Sequence, residues 1–218
     1  MHQRIKYFLK PLYRIVPRRI KTFYDQVRIA RLNNEQLLQW HNNGKPIPPP
    51  HIVKQRAIQF YQRTYGQTIF VETGTFLGDM VKAQLANFQK IYSIELSEVL
   101  WKQAAENFSQ NKHVEILQGD SGSILKNLVP KIDKTAIFWL DGHYSEGVTA
   151  RGVKDCPILE ELAAIFLSRL NHILLIDDAR CFNGVGDYPS INELQDFIRS
   201  SKPGCDIQIE DDIIRIRL

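Results

Sequence analysis

Apolar positions along this chain repeat with two different periods. Short, nearly unbroken runs occur at Ile69-Phe70-Val71, Ile91-Tyr92-Ser93-Ile94, Val114-Glu115-Ile116-Leu117, Ala136-Ile137-Phe138-Trp139-Leu140 and Ile173-Leu174-Leu175-Ile176. They predict strands near 68–73, 90–96, 114–119, 135–141 and 172–177. Between them, helical spacing predicts helices near 78–89, 97–109, 121–129 and 156–169. Five strand-helix units in succession imply a parallel sheet with right-handed crossovers. A last helix near 190–200 precedes Asp206-Ile207-Gln208-Ile209 and Ile213-Ile214-Arg215-Ile216-Arg217-Leu218. The turn Glu210-Asp211-Asp212 between these two runs closes the chain on an antiparallel hairpin. The expected architecture is α/β, with a doubly wound, mostly parallel seven-stranded sheet.

Upstream, the pattern changes. Ile5, Phe8, Leu9, Leu12, Ile15 and Val16 have helical spacing, interrupted at Pro11 and ended by Pro17. Ile20, Phe23, Tyr24 and Val27 begin a second stripe that runs toward Trp40. The proline-rich stretch Asn42-Asn43-Gly44-Lys45-Pro46-Ile47-Pro48-Pro49-Pro50 is a stiff connector, so the expected division is an arm with its linker at 1–50 and a domain at 51–218. The domain opens with a helix from His51 to about Tyr65, with Val53, Ala57, Ile58 and Tyr61 on one side.

Charge sharpens that division. The net charge is +4, but residues 1–31 hold nine of the 28 Lys/Arg and one of the 24 Asp/Glu, so this stretch carries +8 and the rest −4. A basic amphipathic arm reads as a helical lid packed on the domain or as a segment lying on an anionic membrane surface; nucleic acid is not the expected partner. Cys156, Cys181 and Cys205 are too few and too widely spaced for a disulfide framework or a zinc site, and are expected as reduced thiols. No apolar run approaches the roughly 20 residues of a membrane span, and the N-terminus lacks a signal peptide's apolar stretch. The expectation is a cytoplasmic chain, with peripheral membrane contact through the arm as the alternative.

Candidate chemistry gathers at the C-terminal ends of the predicted strands. The first strand runs into Glu72-Thr73-Gly74-Thr75-Phe76-Leu77-Gly78-Asp79. This is a strand-turn-helix of the Rossmann-like kind, in which glycines let the backbone approach a ligand. Strand two ends in Glu95, an acid placed to accept ribose hydroxyls. Strand three ends in Gly119-Asp120-Ser121, where Asp120 serves as helix N-cap or accepts an adenine amino group. Gly74-x-x-x-Gly78 is not the G-x-G-x-x-G of a dinucleotide site. Strand four ends in Asp141-Gly142-His143-Tyr144 and strand five in Asp177-Asp178. Neighbouring strands lie about 4.8 Å apart, so three carboxylates would meet there, and they cannot all stay ionised without a cation. Oxygen-only ligands suit Mg²⁺ or another divalent cation. His143 has the reach and pKa of a general base for a metal-bound hydroxyl, or of a histidine that orients a ligand carboxylate.

This order of acids and glycines resembles the class I S-adenosylmethionine-dependent methyltransferases. The resemblance implies that Glu72, Gly74, Thr75 and Gly78 hold the methionine half of S-adenosylmethionine, Glu95 its ribose, and Asp120 and Ser121 its adenine, with Asp141 beside the cofactor. The common pattern has a further glycine where this chain has Phe76, and an aromatic there is similar to the catechol O-methyltransferase-like branch. Asp141, Asp177 and Asp178 match the metal ligands of the metal-dependent O-methyltransferases acting on macrolide sugars and catechols. His143 matches the macrolide-sugar branch, whereas the lysine of the catechol branch is missing from 142–147. The resemblance covers roughly residues 52–218 and implies methyl transfer to a hydroxyl of a sugar, glycan precursor or other small metabolite. Arg151, Arg180 and Tyr188, on the loops after strands four and five, are candidate substrate contacts or ordinary loop ion pairs. The competing readings are an NAD-dependent oxidoreductase, which leaves the three aspartates without work, and a non-catalytic S-adenosylmethionine-binding protein.

Overall fold

The computed structural model describes residues 18–142 and 156–218. His143, Tyr144, Arg151 and the apolar stripe at 5–16 lie outside the described residues. The chain divides between Pro46 and Ile47 into two compact units. In the first, the stripe beginning at Ile20 is part of one 25-residue helix, α1 (Arg18–Asn42). The Trp40 indole N–H donates to the Pro46 carbonyl at 2.8 Å, folding the end of this unit back on its helix. Among the described residues, no helix is long and apolar enough to cross a membrane.

The second unit opens with α2 (His51–Tyr65), which ends at Gly66 in a left-handed conformation. There follow β1 (Ile69–Thr73), α3 (Asp79–Gln84), β2 (Lys90–Glu95), α4 (Glu98–Asn107), β3 (Val114–Gln118), α5 (Ser121–Leu128) and β4 (Ala136–Leu140). Next come α6 (Ile158–Phe166), β5 (Ile173–Ile176), α7 (Ile191–Ser201), β6 (Asp206–Glu210) and β7 (Ile213–Arg217). The strands form one seven-stranded sheet in the order β3-β2-β1-β4-β5-β7-β6. β1 to β5 are parallel, and the β6–β7 hairpin joins the sheet antiparallel to β5. The expected helix near 78–89 is shorter than its pattern suggests, six residues long, because the chain turns after Gln84 to reach β2.

Alternating strand residues feed two cores. Val71, Ile94, Phe138, Leu140, Leu174, Ile176, Ile214 and Ile216 pack with α5, α6 and α7 on one face. Phe70, Ile91, Ile137, Trp139, Ile173, Leu175 and Ile213 pack with α2, α3 and α4 on the other. β1, β4 and β5 are buried at every position, which is why they read as unbroken apolar runs rather than as an alternation. With both faces covered, the strand ends are where polar groups can gather.

Candidate functional site

Strand register brings three of the predicted acids together. Leu140 of β4 pairs with Thr73 of β1 on one side and with Ile176 of β5 on the other. Asp141 and Asp177 therefore leave the sheet side by side. The Asp177 N–H donates to the Leu140 carbonyl at 3.0 Å, and the Asp141 N–H to the Thr73 carbonyl at 3.3 Å. Asp178 then turns back with φ 54° and ψ 50°. Its N–H donates to Asp177 Oδ1 at 2.8 Å. One carboxylate oxygen from each of Asp141, Asp177 and Asp178 lies within 4.8 Å of the others. Asp177 is buried and the other two are half-buried.

A lysine that the motifs did not point to sits in this cluster. Lys54 Nζ donates to Asp177 Oδ2 at 2.5 Å and to Asp178 Oδ1 at 3.2 Å. Burial by itself would lower the Lys54 pKa, but Asp177, Asp178 and Asp141 outweigh it and hold the ammonium above its ordinary value. Arg180 Nη1 adds a second cation, bonded to Asp178 Oδ1 at 2.8 Å and to Asp212 Oδ2. In this structure side chains of the protein supply positive charge to the three close carboxylates. The signal was present in α2. Lys54 stands three, four and seven residues before Ala57, Ile58 and Tyr61, all buried, so it shares their face of the helix.

The other predicted residues line the neighbouring tips. Glu95, 6% exposed, accepts from the Phe76 N–H at 2.8 Å on Oε2 and from the Ser97 N–H at 2.9 Å on Oε1. Each oxygen keeps a further lone pair, so the carboxylate is oriented without being saturated. Glu72 is buried inside β1, where Ser93 Oγ donates to its Oε2 at 2.5 Å and Thr75 Oγ1 bonds Ser93 Oγ at 2.6 Å. Burial pushes the Glu72 carboxyl up to about 8, against the pull of that serine and with help from Asp141 and Glu95, so it is mostly neutral at pH 7. Asp120 Oδ1 caps α5 by accepting from the Ser123 N–H at 2.9 Å, and Ser121 is buried beside it.

Gly74 and Gly78 are also tightly packed against the protein. Gly74 has φ +82°, and a Cβ there would lie 2.3 Å from the Asp141 carbonyl oxygen. A Cβ on Gly78 would lie 2.6 Å from the Phe108 ring. The close approaches that the structure shows at these positions are to the protein itself. Phe76, where the common pattern has glycine, takes a left-handed φ of 48° all the same, with its N–H held by Glu95. Of the two described loop candidates, Arg180 is engaged in the ion pairs above, while Tyr188 packs edge-on against Phe182, with ring centroids 5.8 Å apart.

The sheet order and the C-terminal hairpin define a Rossmann-like methyltransferase fold, and solved structures of O-methyltransferases are similar to it. The O-methyltransferase TomG of Streptomyces achromogenes, involved in tomaymycin synthesis and solved with S-adenosylmethionine, is similar at TM-score 0.57 and 14% identity, over 85% of this chain and 88% of its own. An O-methyltransferase from Bacillus cereus in complex with S-adenosylhomocysteine aligns at TM-score 0.56 and 13% identity, over 85% and 90%. The S-adenosylhomocysteine-bound methyltransferase PaMTH1 of Podospora anserina aligns at 0.53 and 15%, over 93% and 97%. No protein-family profile and no curated protein matches the sequence.

Proposed function

We propose that this protein is an S-adenosylmethionine-dependent O-methyltransferase acting on a hydroxyl of a sugar, glycan precursor or other small metabolite. The observation that carries this reading is the row of acids along one edge of the sheet. Glu95 ends β2, and Asp120, Asp141 and Asp177–Asp178 follow β3, β4 and β5, beside the turn that bears Gly74. S-adenosylmethionine, when bound, supplies an electrophilic methyl group, and Mg²⁺ or another divalent cation, when held by Asp141, Asp177 and Asp178, would acidify the acceptor hydroxyl. Three carboxylates within 4.8 Å are a donor set that fits such an ion.

The protein's own groups have separable tasks in this reading. Glu95, fixed by two backbone amides, accepts the ribose hydroxyls on its remaining lone pairs. Asp120 accepts the adenine amino group on Oδ2 while Oδ1 stays with the helix cap, and Ser121 stands beside it. Glu72, Gly74, Thr75 and Gly78 border the methionine end, with Asp141 against Gly74. His143, two residues past Asp141, takes the proton from the acceptor oxygen.

Calorimetry tests the reading. S-adenosylhomocysteine is expected to bind and NAD⁺ not to, with Glu95→Ala losing about tenfold or more in affinity, as one charge-assisted hydrogen bond predicts. Binding of NAD⁺ instead would turn the strand-end acids over to a dehydrogenase. Binding of neither would leave a non-catalytic protein of the same fold.

A further inference from the structure

We infer that the Lys54 ammonium and a divalent cation are alternative occupants of the Asp141–Asp177–Asp178 cluster, so that a metal ion enters only as Lys54 swings out. This exchange rests on the metal-binding half of the proposed function. It begins from the two bonds of 2.5 and 3.2 Å that place Nζ against Asp177 Oδ2 and Asp178 Oδ1. Those carboxylates are two of the three that an ion would use. An ion about 2.1 Å from the Asp177 oxygen that Lys54 holds would stand no more than about 5 Å from Nζ. At that distance a double positive charge repels the ammonium strongly in a half-buried setting.

The rest of the site is built for the lysine to leave. Its side chain is 15% exposed, against 0% for Asp177, so the lysine keeps some contact with solvent while the acid has none. It rides on the first turn of α2, anchored by Ile58 and Tyr61 deeper along the same face. The stem carries four rotatable bonds, so the head group can move while the helix stays docked. Arg180 is differently held. Asp212 accepts from both its backbone N–H, at 2.9 Å, and its guanidinium, so Arg180 stays as a fixed neighbour of Asp178. The cluster therefore has one permanent cation at its rim and one exchangeable cation inside. With the metal absent, Lys54 holds the Asp177 and Asp178 carboxylates in place through its two hydrogen bonds.

The test is a Mn²⁺ titration followed by electron paramagnetic resonance, on the full chain and on Lys54→Met. Lys54→Met is expected to bind Mn²⁺ at least tenfold more tightly than the parent, and to lose thermal stability that Mn²⁺ restores. Equal affinity in the two proteins overturns the exchange and leaves the metal site standing. No Mn²⁺ binding by Lys54→Met overturns the exchange together with the metal-binding half of the proposed function, while binding of S-adenosylhomocysteine would still support methyl transfer. Should Lys54→Met fail to fold, the parent decides by acylation of its lysines and mass spectrometry. Labelling of Lys54 is expected to rise several-fold with Mn²⁺, and unchanged labelling overturns the exchange.

Discussion

Gly74 shows how little room a single residue leaves at the sheet edge. Its φ of +82° would strain any side chain, and the Asp141 carbonyl oxygen stands 2.3 Å from where a Cβ would be. Relief requires the backbone after β4 to move, and with it a proposed metal ligand. Gly74→Ala is expected to lose about 1–3 kcal/mol of stability from overpacking, beyond the cost of the left-handed backbone. Gly66 separates the two effects, since it has φ +73° with nothing within 4 Å of a Cβ. Gly66→Ala should lose only about 1–2 kcal/mol. Urea unfolding of both variants, with calorimetry of S-adenosylhomocysteine, checks this. Equal losses in the two would mean that the backbone after β4 yields freely.

Elements are tied together by buried polar groups whose protonation matters. His172, fully buried just before β5, accepts from the Ala136 N–H of β4 on Nδ1 at 3.1 Å and meets Ser168 Oγ, just past α6, through Nε2 at 2.8 Å. Because Nδ1 accepts, the ring is neutral with its proton on Nε2. Burial, with a smaller push from Lys202, lowers its pKa to about 4. The unfolded chain, with an ordinary histidine near 6.5, therefore binds the proton more readily between pH 4 and 6.5. The contribution is fully present above about pH 6.5 and is lost as pH falls toward 4, about 3 kcal/mol in all. His172→Gln should lower stability at pH 7 yet flatten the fall in urea midpoint between pH 6.5 and 4.5. Parallel pH profiles for parent and variant would exclude His172 as the group responsible.

At the scale of the whole molecule, charge is divided along the chain. Residues 1–31 carry +8 against −4 for the rest. We propose that this basic stretch gives the protein an affinity for anionic lipid surfaces. The full chain is expected to co-sediment with vesicles containing phosphatidylserine, to do so less as salt rises, and to ignore neutral vesicles. Equal binding to both vesicle types would count against an electrostatic arm.

Much of the architecture was legible before any tertiary contact was known. Sheet strands and helices differ in hydrophobic period, and a strand buried on both faces reads as an unbroken apolar run, so β1, β4 and β5 announced themselves together with the acids that end them. The C-terminal hairpin was equally plain, because two short apolar runs flank a polar turn. These features are local: backbone hydrogen bonding and one-sided or two-sided burial act over a few residues. Tertiary structure alone decided what each acid faces. Asp141 meets Asp177 through the register of β4 on β5. Lys54 reaches Asp177 from 123 residues away in sequence, because α2 docks with that face against the sheet. The crowding at Gly74 likewise comes from β4 rather than from its own turn. Sequence by itself determined which residues end the strands, since that follows from local periodicity; which charges share a site depended on strand register and helix docking, which the packing of distant segments sets.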